Sequence, residues 1–114
     1  MRASEAWTGT GVRVMKGQRV SFSTTGEVQF STDAGHRAGP DGSDATRSPN
    51  YPVPAMPVGG LIGKVGDSAP FPIGSNRDPI VMPASGQLML GVNDDHVADN
   101  TGGFVVTLSN ARGR

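Results

Sequence analysis

"QLMLGVNDDHVADNTGGFVVTLS", residues 87–109, holds two runs in which apolar residues return at every second position, separated by a loop crowded with acids and amides. Leu88, Leu90 and Val92 share one face of the first run; Phe104, Val106 and Leu108 share one face of the second. A period of two is the side-chain repeat of a β-strand, because successive Cβ atoms point to opposite faces of a sheet. Both runs read as half-buried strands.

The alternation recurs upstream, with Val20 and Phe22 paired in "RVSFSTT" and Val28 and Phe30 in "GEVQF". Further short candidates are "GTGVRVM", "GLIGKVG", "PFPIG" and "PIVMP", and turn chemistry stands between runs in "KGQ", "TTGE" and "ASGQ". Seventeen glycines and nine prolines leave few windows long enough for a helix. About eight short strands in a chain of this size predict an all-β domain, a small β-sandwich of jelly-roll type. The 114 residues suit one domain with a modest core, so 1–114 is expected to be a single unit. Thr32 to Gly59 is nearly patternless and rich in Gly, Pro, Ser and Asp, and a loop of that length is usually either functional or disordered.

Ten basic and ten acidic residues balance, and the basic ones stand singly, which leaves no electrostatic footprint for nucleic acid or an anionic membrane. No run approaches the roughly 18 apolar residues of a membrane span, and "MRASEAW" lacks the apolar core of a secretory signal. A soluble protein, cytoplasmic or released, is the expectation. Without cysteine there is no disulfide, zinc–thiolate or thiol chemistry. No Gly-x-Ser-x-Gly elbow, supported Ser-His-Asp set or P-loop occurs, so a non-catalytic protein is expected.

The acidic loop places Asp94 and Asp95 directly after one strand and Asp99 and Asn100 just before the next, and three of the chain's ten acids therefore crowd together. Such carboxylates repel one another unless a counter-charge is present. Folded back toward one point, they offer the oxygen ligands that a hard cation such as calcium takes, although the spacing is not that of an EF-hand. Two other readings stay open. Asp and Asn also cap hairpins through bonds to their own backbone, and Asp94 with Asp99 would make a glycosidase pair only at a set separation across a cleft.

"GLIGKVG", "PFPIG" and "SGQLMLGVNDD…DNTGGFVVTL", together with Trp7, "GQRVSFSTTGEVQF" and "GPDG", resemble the LecA-like family of calcium-dependent galactose-binding bacterial lectins. The resemblance spans most of the chain and implies the same small β-sandwich. It also implies one Ca2+ held by the side chains of Asp94, Asp99 and Asn100, by the backbone carbonyl of Phe30, and by a carbonyl at His96 or Val97. Two sugar hydroxyls complete the shell in that family; the positions expected to face the sugar in this chain are Asp94, Asp95, Asp99 and Thr46, to which Tyr51 and His96 are added as rings able to reach it. This chain departs from the family's best-known member in a loop about two residues shorter, in an aspartate at Asp99 where that member has asparagine, and in Thr46 and Pro49 where it has a histidine and a glutamine touching the sugar. A homo-oligomer is implied too.

Among the remaining candidates, Trp7 opens a strand and reads as core, whereas Tyr51 in "SPNYPVP" reads as an exposed ring available to a sugar face. His36 reads as a solvated loop residue, His96 as one within reach of a ligand hydroxyl, and Lys64 as the outward-facing residue of an apolar strand. The leading expectation is a calcium-dependent galactoside-binding lectin. Its rival is a structural or appended interaction module in which calcium only staples a loop.

Overall fold

The computed structural model describes residues 1, 4–5, 7–29, 37–43, 51–54, 56–75, 78–94, 97 and 100–111, the last two by backbone alone. Eight strands and no helix occur among them: β1 (Trp7–Val14), β2 (Arg19–Gln29), β3 (Arg37–Ala38), β4 (Leu61–Val65), β5 (Phe71–Pro72), β6 (Ile80–Val81), β7 (Gly86–Val92) and β8 (Thr101–Ala111). They form two antiparallel sheets, as the alternation predicts. One sheet runs β1-β7-β4-β5. In the other, β2 carries β8 along one edge, with β3 and β6 sharing its opposite edge at the two ends.

The inward faces of the sheets enclose one core. Val14, Leu61, Val65, Leu88, Leu90 and Val92 come from the first sheet, and Val20, Phe22, Val28 and Phe104 from the second. Of the residues assigned an inward face, Val20, Phe22, Val28, Leu88, Leu90, Val92 and Phe104 are buried, whereas Val106 and Leu108 are only partly buried and pack against the core. Phe30, the partner of Val28, lies outside the described residues.

"TTGE" is not the turn that its composition suggests. β2 continues unbroken through Gly26 and pairs with β8 from Arg19↔Ala111 to Gln29↔Thr101. Gly26, at φ 114°, faces Phe104, and a Cβ there would stand 2.5 Å from the Gly103 carbonyl oxygen. Gly102, at φ 80°, mirrors it from β8, with a Cβ 2.6 Å from the Glu27 carbonyl oxygen. Glycine inside a strand marks a close backbone approach as readily as a chain reversal, and here it lets two long strands kink together. The region from Thr32 to Gly59 also carries more order than its composition predicts. It holds β3, and a bridge joins Ser43 to Val58.

Candidate functional site

β7 belongs to one sheet and β8 to the other, so residues 93–100 cross from sheet to sheet at one end of the sandwich. The crossing places Asp94 just after a strand of one sheet and Asn100 just before a strand of the other. The β4–β7 pairing reaches Leu61↔Val92 and is prolonged by Asn93 N–H to the Gly60 carbonyl at 2.8 Å and Gly59 N–H to the Asn93 carbonyl at 2.9 Å.

Asn93, the first residue of the loop, is wholly buried and acts on a distant segment. Its Oδ1 accepts the Val53 N–H at 2.8 Å, while Nδ2 donates to the carbonyls of Val53 (2.9 Å), Met56 (2.7 Å) and Pro57 (3.1 Å). The amide thus uses both its donor and its acceptor character to fix the end of the long loop against the sandwich. Composition could not reveal this role, because the partners lie up to 40 residues away.

Asp94 and Asn100 are also buried, at 9% and 3% exposure, although both lie in a polar loop. A turn closed by Asn100 N–H to the Val97 carbonyl at 3.0 Å leads into β8, and Asp94 N–H turns back to the Val92 carbonyl at 2.9 Å. Both residues keep further interactions, yet Asp94 Oδ2 and Asn100 Oδ1 are buried oxygens that accept no hydrogen bond. A buried oxygen in that condition costs about 1–3 kcal/mol. A cation bound to carboxylate and amide oxygen would remove the cost, so this donor set fits calcium.

Of the other predicted positions, Phe30, Thr46, Asp95, His96 and Asp99 lie outside the described residues, as do His36 and Pro49. Val97 is half-buried and its carbonyl has one lone pair engaged by the turn. The β2–β8 ladder ends at Gln29↔Thr101, the pair next to Phe30 and Asn100.

Two aromatic expectations are corrected. Tyr51 is buried rather than exposed and offers little surface to a ligand. Its loop is drawn in by Asn93 two residues further on, so the ring goes inward with it. Trp7 is only half-buried and lies outside the core cluster. Its ring meets Lys64, whose Nζ stands 4.7 Å from the centroid, a cation–π contact that also accounts for a lysine in an apolar strand.

"GPDG", residues 39–42, forms a second clamp near the same end. Leu61 N–H donates to the Pro40 carbonyl at 2.8 Å, and Asp41 accepts from Ser75 N–H at 2.7 Å and Ser75 Oγ–H at 2.5 Å. The Ser75 hydroxyl, then its N–H, hold the Asp41 carboxyl below its ordinary pKa, with desolvation opposing. A depressed folded pKa gives stability that is present above the ordinary carboxylate range and lost as pH falls through the folded value. Asp41→Asn should therefore be less stable than the parent at pH 7, and the gap should close below about pH 4. Thermal melts from pH 7 down to below about pH 3 test this; a gap of constant size would remove Asp41 from the acid response.

No protein-family model and no curated protein matches the sequence. Among solved structures, the chain is similar to one described as "EclA N-terminal domain; PllA-like lectin", with a TM-score of 0.76 and 22% identity over 96% of this chain and 92% of that one. The two-sheet all-β architecture is therefore similar in fold to that lectin domain.

Proposed function

We propose that this domain is a non-catalytic lectin that binds galactosides through a calcium ion held at the β7–β8 crossing. The observation that supports it most directly is that Asp94 and Asn100, next to strands in different sheets, bury their side chains at one end of a lectin-type sandwich. Asp94, Asp99 and Asn100 would hold the ion by side-chain oxygens, with Phe30 and either His96 or Val97 contributing carbonyls. Bound calcium would supply positive charge and coordination positions that two vicinal sugar hydroxyls can enter. Asp94 and Asp99 would also accept hydrogen bonds from those hydroxyls, while Asp95, His96 and Thr46 would make peripheral contacts. Several sites in a homo-oligomer would raise avidity for clustered glycans.

The competing reading is a calcium staple with no sugar. Calcium that binds only the folded form at about a hundredfold excess over Kd stabilises by about 2.7 kcal/mol, or roughly 10 °C or more in melting temperature for a domain of this size. Magnesium should stabilise less, since it demands tighter octahedral geometry. Identical melts in calcium and in chelator would defeat both readings. A calcium-stabilised protein that stays silent on a glycan array would leave the staple alone.

A further inference from the structure

Outside the metal-binding loop, the second sheet carries a polar hollow of ≈ 140 Å³ lined by Glu27, Val28, Gln29, Arg37, Thr101 and Gly102. Its position follows from strand register. Gln29 lies opposite both Arg37 and Thr101, and directly paired residues of antiparallel strands project on the same face. Glu27 lies one row further along, opposite Gly103, which has no side chain to fill the space. Gly102, which lines the hollow, lets the β2 and β8 backbones approach closely, since a Cβ there would stand 2.6 Å from the Glu27 carbonyl oxygen.

The chemistry of the lining is specific. Arg37 Nη1 and Glu27 Oε1 form an ion pair at 3.2 Å whose side chains both remain more than half exposed. The pair presents guanidinium donors and carboxylate acceptors to solvent, and its two charges offset one another. With the Gln29 amide and the Thr101 hydroxyl alongside, the surface suits a neutral, hydroxyl-rich ligand better than an anion. Thr101, which lines the hollow, follows Asn100, a proposed metal ligand, directly in the chain.

We infer that this hollow is an extension subsite: it takes the second sugar residue of an oligosaccharide whose terminal galactose sits on the ion. The inference rests on the lectin reading above. Hydrogen bonds from Arg37 and Glu27 to neighbouring hydroxyls would add affinity for elongated glycans, so discrimination by linkage resides on β2, β3 and β8 as well as in the metal loop.

Isothermal titration with methyl galactoside and with a panel of galactose-terminated di- and trisaccharides, in calcium, tests it. The parent should bind at least one linkage about tenfold more tightly than the monosaccharide, a gain of the size of one or two good hydrogen bonds. In Arg37→Ala and in Glu27→Ala that ratio should fall to about one, while Arg13→Ala, on β1 of the other sheet, should keep the parent ratio. A parent without preference for any elongated glycan, or a preference that survives both substitutions, overturns the subsite and leaves the metal site standing. Absence of calcium-dependent binding to methyl galactoside and to every member of the panel overturns the lectin reading and the subsite together.

Discussion

Asn93→Asp should be among the most damaging single-atom-scale changes in this protein, and more damaging at neutral pH than in acid. The parent amide is wholly buried and bonds four backbone groups of residues 53–57. An ionised aspartate keeps the acceptor for Val53 N–H but has no donor, and it sets a negative charge against three carbonyl oxygens. Losing those bonds in a buried setting costs about 1–3 kcal/mol per group, partly recovered where water enters, so a loss of about 3–5 kcal/mol is expected. That is a large share of the ~5–15 kcal/mol that holds a typical domain together. Protonation restores one donor. The folded-state pKa of the introduced acid should be raised, so its penalty relative to the parent should be largest at pH 7 and shrink as pH falls through that value. Asn93→Ala, which has no titratable group, should cost a similar amount with no such recovery. Urea titrations of the three proteins at pH 7 and pH 5 separate the cases. Equal stability of all three would show that the loop does not depend on this amide.

Asn93 also illustrates where the sequence stops being legible. In "NDDHVADN" it looks like one more oxygen ligand or turn residue, and only the tertiary fold shows that its side chain points at a segment far upstream. The strands themselves were readable because alternation is a local property: Leu88, Leu90 and Val92 had to share a face whatever lay opposite. Gly26 was misread for the complementary reason. A glycine after "STT" is ambiguous between a turn and a kink, and the decision rests with Gly102 and Gly103 on a strand some 75 residues later. Trp7 and Tyr51 exchanged their expected settings on similar grounds, since one meets Lys64 across the sheet and the other belongs to the loop that Asn93 pulls in. For the acidic loop, the acids are close in sequence, but the burial of Asp94 and Asn100 goes with β7 and β8 lying in different sheets.

Asp94→Asn should reverse the order of stability between chelator and calcium. Asp94 is 9% exposed, and the conversion keeps the shape while replacing one carboxylate oxygen by an NH2 donor and removing a charge from a place with little water. In chelator the parent carries the desolvation cost of that carboxylate without its counter-ion, so the neutral variant should melt at the same temperature as the parent or higher. In calcium the parent recovers the cost through the ion, and the variant, one charge poorer, should bind the metal at least about tenfold more weakly, the lower end of what even an indirect partner of a metal ligand is worth. The parent should then be the more stable protein, and its affinity for galactose should fall in parallel with calcium affinity when the variant is made. Asp67→Asn, an exposed acid in the turn beyond β4 at the opposite end of the sandwich, should change neither order nor affinity. A turn-capping role for Asp94 predicts something different: the variant would lose the same amount of stability with and without calcium, because the bonds it forfeits are to its own backbone. Melting curves in the two buffers, with titrations of calcium and of galactose at saturating calcium, therefore decide between cap and ligand. An Asp94→Asn protein that binds galactose as tightly as the parent would show that the sugar is held away from this carboxylate.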